Sequence, residues 1–301
     1  MARYRREGAG ALSAPTIALL GANGVYARWL LPRLHARGHV VRALVRRPDA
    51  AAAAAACGAE IRTADIFDET SLRAALKGCE IGINLATALP GPSGRGDFDA
   101  NDRLRREGTP IWLQACRDAG VQRVIQQSIA MVNAAGEEWA DEDTVFAADE
   151  ESIASRAIDA ALAMERAVRG SSLDWIILRG GLFYGPGTGF DDDWFTRARE
   201  ARLRLPGDGA EFVSLLHIAD MAAATLAAIE RWPSQQTLIV ADDEPARWRD
   251  VLSYVAKLAG APAPQPGGRL GFPSFRVSNR RARSALSWAP FYTNYRTGLA
   301  R

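Results

Sequence analysis

Lysine is almost missing from this chain. Of its 37 basic residues only Lys77 and Lys257 are lysines. Arginine supplies nearly all the positive charge, and an amine for catalysis is hard to find. Cysteine and histidine are scarce too, with three of each. Cys57, Cys79 and Cys116 are widely spaced and share no metal-ligand pattern with His35, His39 and His217. That spacing predicts buried reduced thiols and no metal site. No run of about 20 apolar residues exists to cross a bilayer. The first residues, Met1-Ala-Arg-Tyr-Arg-Arg, are basic but lack the apolar core of a signal peptide. Net charge is only +2, with both signs interspersed, so nothing calls for nucleic acid or an anionic membrane as partner. The expectation is a cytoplasmic protein acting on a small molecule, with residues 1–14 as a flexible tail.

What is present is 301 residues, 48% of them hydrophobic, enough for one large α/β domain with a smaller lobe. Short apolar runs starting at Thr16, Val40, Glu60, Ile81, Val124 and Trp175 read as strands. Between them, helical patterns run from Val25 to Arg37, Ala50 to Cys57, Glu69 to Leu76, Asn101 to Ala119 and Glu151 to Arg169. Such alternation predicts right-handed βαβ units and a doubly wound, mostly parallel sheet, a Rossmann-type α/β fold spanning residues 15–180. After Gly181 glycine, proline and tryptophan become frequent. Residues 181–301 read mainly as a small substrate-binding lobe, with helices Phe190 to Arg199, Ile218 to Glu230 and Arg247 to Ala259. Residues 213–242 are the exception: a helix and a strand that could rejoin the sheet. Gly260 to Gly268 reads as a loop.

Gly21-Ala-Asn23-Gly24-Val25-Tyr26-Ala lies directly between a strand and a helix. Glycine lets the chain reverse and the backbone approach a pyrophosphate, while the helix N-terminus offers free N–H groups and a positive dipole end. A dinucleotide is the expected ligand. The second strand ends at Arg46-Arg47, where an NAD site usually places a carboxylate for the ribose hydroxyls. Guanidiniums pair bidentately with phosphate, so NADP(H) is expected over NAD(H). The plainer alternative is a pair of solvated arginines on a basic turn.

These segments resemble the short-chain dehydrogenase/reductase superfamily, in particular its extended and atypical, NAD-dependent epimerase/dehydratase-like branch. The resemblance runs from about Thr16 to Ala300. It includes the glycine turn, Ala64-Asp65-Ile66 as the adenine-contacting segment, and Asn84-Leu85-Ala86-Thr87 as the stretch lining the cofactor. Asn101 through Gly108-Thr109 is similar to the following helix. Arg179-Gly-Gly-Leu-Phe-Tyr184-Gly-Pro-Gly resembles a family segment that usually has proline where Gly180 stands. His217-Ile-Ala-Asp220 and Leu286-Ser-Trp288 onward match the later motifs. The resemblance implies that Gln127 and Arg179 also belong to the cofactor site, and that the fold can dimerise through the helices after Asn101 and Glu151.

The family usually works with a serine and a Tyr-x-x-x-Lys pair, the tyrosine as acid/base and the lysine lowering its pKa. Ser128 matches the serine. Aligned on Glu165, Ala157 and Ala161 stand at the tyrosine and lysine positions, and no Tyr-x-x-x-Lys occurs anywhere in the chain. Alanine cannot transfer a proton, so three readings stay open. Another acid serves, with Tyr184 and Ser128 as candidates and His217 more distant. Or the substrate is activated enough, as a conjugated enone or iminium is, for cofactor and shape to suffice. Or redox chemistry is lost, leaving an inert cofactor-binding regulator or a non-redox epimerase-, cyclase- or lyase-type enzyme. The leading reading is an NADP(H)-dependent atypical reductase of a small apolar or aromatic metabolite. His217 and Asp220 are expected to be structural at a helix start, and Asp191-Asp-Asp193 to be an acidic helix start.

Overall fold

A computed structural model describes residues 15–89, 96–145, 153–269 and 271–300. The expected tail, and Glu151 as the expected start of the long helix, lie outside the described residues. Seven parallel strands form the central sheet: β1 Thr16–Leu20, β2 Val40–Val45, β3 Glu60–Thr63, β4 Ile81–Asn84, β5 Arg123–Ile129, β6 Asp174–Gly180 and β7 Gln236–Val240. Their order is β3-β2-β1-β4-β5-β6-β7. β1 is apolar almost throughout because helices cover both of its sides. Ile17 and Leu19 face one core with Leu30, Leu34, Ala224 and Ala228, from helices Val25–Ala36 and Ile218–Arg231. Ala18 and Leu20 face the other, with Leu72, Leu76, Trp112 and Cys116 from helices Glu69–Leu76 and Thr109–Asp118. This alternation is the period-2 pattern of a strand between two helical layers.

The strand predicted near 236 does rejoin the sheet, with Leu238 opposite Leu178. Two expectations need correction. The helix predicted from Asn101 starts earlier and is not regular: Phe98–Arg103 leads into a wide π-type turn, Leu104–Gly108, before Thr109–Asp118. The predicted loop after Gly260 contains a strand, Gln265–Gly268, paired with Arg204–Pro206, because main-chain pairing does not need apolar side chains. The C-terminal part has its own core of Trp194, Phe195, Trp248, Val251 and Phe275. Among the described residues no helix is long and apolar enough to cross a membrane.

Candidate active site

The strand order reverses between β1 and β4, and the crevice beyond their C-terminal ends is where open α/β sheets bind ligands. A cavity of about 260 Å³ lies there. Gly21, Asn23 and Gly24 line it, with Arg46 and Arg47 after β2, Asp65 and Ile66 after β3, and Leu85, Ala86 and Thr87 after β4. Gly21 has φ +79°, and a Cβ on it would stand 2.9 Å from the Ala86 nitrogen and the Leu85 carbonyl carbon. Only glycine lets the two loops come this close. Gly24 donates to the Gly21 carbonyl at 3.0 Å and is the N-cap of the Val25–Ala36 helix, with no side chain capping it. Val25 begins that helix but does not line the cavity.

The walls are held by polar side chains. Asn84, buried, accepts from the Ala86 N–H at 3.0 Å and donates to Gln126 Oε1 at 3.0 Å, which fixes the Leu85–Thr87 loop. Asp65 accepts from the Phe67 N–H at 3.0 Å. Arg46 and Arg47 are exposed, and neither side chain has a hydrogen bond or ion pair among the described residues. Uncapped helix N–H groups, a glycine cradle and two uncommitted guanidiniums form the donor set a dinucleotide phosphate requires.

Besides Val25, three residues expected at the cofactor site do not line this cavity: Tyr26, Arg179 and Gln127. The Tyr26 side chain turns into the core, its hydroxyl hydrogen-bonded to Thr225 on the neighbouring helix. Burial pushes the Tyr26 phenol well above its ordinary range despite that bond. The inward stripe of its helix, Tyr26, Ala27, Leu30, Leu31 and Leu34, dictates this direction. Arg179 is buried beneath the sheet end and is committed elsewhere. Its Nε and a terminal nitrogen hold the two Glu165 oxygens at 2.9 and 2.7 Å, and its other terminal nitrogen donates to Asn133 Oδ1 at 2.8 Å.

A second cavity, about 200 Å³, adjoins the first: Ala88 lines one and Leu89 the other. Its walls are largely apolar, including Phe98, Phe183, Phe190 and Phe272. Gln127, Ser128 and Ala157 line it as well, so Gln127 borders this cavity and not the glycine cradle. Ala157 therefore does share a cavity with Ser128, while Ala161 is fully buried against Val132 and Ile158. Ser128 donates to Glu165 Oε1 at 2.6 Å. Glu165 is fully buried, which alone would push its carboxyl up. Arg179, Ser128 and Arg169 outweigh that and hold it below the usual carboxylate range. The hydroxyl proton of Ser128 is thus given to a carboxylate, and its oxygen keeps only acceptor capacity toward the cavity.

Tyr184, expected as a candidate acid, is not in this cavity. It is fully buried, its hydroxyl points to the Asn294 carbonyl at 3.4 Å, and burial pushes the phenol far up. A Cβ on Gly298 would sit 1.9 Å from that hydroxyl, so the C-terminal helix Tyr295–Leu299 packs directly over Tyr184.

His217 Nδ1 accepts from the Ala219 N–H at 3.2 Å as the N-cap of the Ile218–Arg231 helix, and burial lowers its pKa. Asp220 accepts from the Phe291 and Tyr292 N–H groups at 3.0 and 2.9 Å. Asp191 accepts from the Gly185 N–H at 3.2 Å at a helix start. All three lie at helix starts, and each accepts a hydrogen bond from a backbone N–H.

The residue that sequence reasoning missed is Arg105. It comes from the π-type turn, which places consecutive residues in the two cavities: Leu104 lines the first and Arg105 the second. Such turns insert one extra residue and often occur at functional sites. Arg105 is 6% exposed and donates to the Ala157 carbonyl at 2.8 Å. Burial lowers its pKa to about 10, against the pull of Asp102 and Glu165, so it stays cationic at neutral pH. A signal was available: Asn101, Arg105, Gly108, Thr109 and Trp112 follow helical spacing on one buried stripe.

Comparison with known proteins agrees with this geometry. A family model described as NAD(P)H-binding matches residues 21–228. A "3-diazoavenalumate denitrifying reductase" from Streptomyces sp is 36% identical, over 95% of this chain and 99% of that protein. A "4-hydroxy-2-methyl-3-oxo-4-farnesyl-3,4-dihydroquinoline-1-oxide ketoreductase" from Stigmatella aurantiaca is 27% identical, over 81% and 73%. Among solved structures, "MoeE5 in complex with UDP-glucose and NAD" superposes with a TM-score of 0.76 at 25% identity, covering 95% of this chain and 96% of that one.

Proposed function

The chain belongs to the NAD(P)H-binding, atypical short-chain dehydrogenase/reductase family with epimerase-like relatives, and from that premise we propose that it is an NADPH-dependent reductase of activated aromatic substrates that need no proton from the protein. The observation that carries this reading is the state of Ser128. Ala157 lines the same cavity, and the hydroxyl proton of Ser128 is committed to Glu165. Among the described residues, no tyrosine or lysine lines this cavity. Reduction of an ordinary ketone needs a proton at oxygen as hydride arrives at carbon. A substrate that is already electron-poor does not.

The name of the Streptomyces relative suggests one such substrate class for this chain, an aromatic diazonium. Bound NADPH would supply one hydride, and the overall change balances without an added proton, as ArN₂⁺ + NADPH → ArH + N₂ + NADP⁺. The chain's own contribution is positioning. Phe183, Phe190 and Phe272 would hold a flat ring and exclude water, and the loop after β4 would hold it against the cofactor cleft. Arg46 and Arg47 would take the 2′-phosphate.

Calorimetry tests the cofactor preference. NADPH should bind at least about tenfold tighter than NADH, and Arg46→Ala should remove most of that difference. Equal affinities in the unaltered protein would overturn it. NADPH binding with no turnover across enones, iminium ions and diazonium ions would favour a cofactor-binding regulator instead.

A further inference from the structure

We infer that Arg105 is the recognition site for a carboxylate on the substrate, which makes the substrate class an aromatic acid. The inference rests on the reductase reading only for the identity of the cavity. Arg105 is more than nine-tenths buried and lines a cavity whose other walls are mostly phenylalanine and aliphatic side chains. A guanidinium has five N–H donors in a planar fork. Among the described residues, the Ala157 carbonyl is its only hydrogen-bond partner. Asp102 and Glu165 stabilise its charge through space, but neither closes an ion pair with it. Glu165 is held by Arg169 and Arg179 instead.

A buried cation without an anion against it is unfavourable unless something completes it. The cavity leaves room for that partner. The fork geometry favours a carboxylate, taken bidentately, over a single neutral oxygen. The remaining walls favour a flat apolar body attached to it. An anionic anchor also suits an acceptor that is cationic at its reacting end, because the bound molecule then brings its own counter-charge.

The test uses the full chain saturated with NADPH and four probes: benzoate, cinnamate and their primary amides. Calorimetry should show each acid binding at least about tenfold tighter than its amide. Arg105→Met should abolish that gap while NADPH affinity is retained, which also reports that the variant is folded. Arg105→Lys keeps the charge without the fork and should retain only part of the gap. Equal binding of acid and amide, no binding of either acid, or a gap that survives in Arg105→Met would overturn the inference. If the acids bind as expected but no acceptor oxidises NADPH, the reductase reading fails and the carboxylate site stands.

Discussion

Glu165 is fully buried, yet it is charged, because three donors converge on it: Arg179, Arg169 and Ser128. Its folded pKa lies below the ordinary 4.5. The stabilisation it gives is therefore present above that unfolded value and is lost as pH falls through the folded one. Glu165→Gln leaves Arg179 buried without its counter-ion and should destabilise the protein by about 3–5 kcal/mol at neutral pH. Urea unfolding at neutral pH and at pH well below 4.5 checks both parts. The variant should lose much of the acid sensitivity of the parent, and a variant as stable as the parent would refute the pairing. Single residues are legible in uneven measure. Ser128 and Glu165 can be placed from sequence because they sit in recognisable segments. Tyr184 cannot, because its direction depends on Gly298 and on Asn294, the latter 110 positions away in the chain.

At the scale of elements, the glycine turn after β1 is the part the sequence specifies most fully. Strand, turn and helix are contiguous, so local chemistry decides the geometry. Gly21 has a positive φ and no space for a Cβ against the Leu85–Ala86 backbone. Gly21→Ala should destabilise the fold by roughly 1–3 kcal/mol and weaken NADPH binding at least about tenfold. Thermal unfolding and cofactor titration measure the two, and unchanged values in both would contradict the account. The π-type turn Leu104–Gly108 is not legible in this way. Periodicity distinguishes helix from strand, but a single inserted residue shifts the spacing too little to be read. Arg105 itself keeps the helical spacing of Asn101, Gly108, Thr109 and Trp112, and it lines the apolar cavity. The Gln265–Gly268 strand escapes notice for a different reason: its partner, Arg204–Pro206, is remote in sequence and its own residues have low strand propensity.

Across the whole molecule, the sheet order follows from the alternation of elements, and the order fixes the crevice at β1 and β4. Most of the expected cofactor residues meet there because they all lie at strand ends. The catalytic expectation fared worse, since side-chain commitments such as Ser128 to Glu165 appear only in three dimensions. What the fold presents is a crevice at β1 and β4 joined to an apolar cavity that holds a buried cation and, among the described residues, no uncommitted hydroxyl proton. The central claim is hydride transfer without a protein acid. The most direct measurement is turnover of NADPH with an aromatic diazonium carrying a carboxylate, with nicotinamide absorbance and released nitrogen followed together. The account predicts one NADPH oxidised per nitrogen molecule released, in the parent and equally in Tyr184→Phe. Tight NADPH binding with no oxidation, or a rate that collapses in Tyr184→Phe while the protein stays folded, would contradict it.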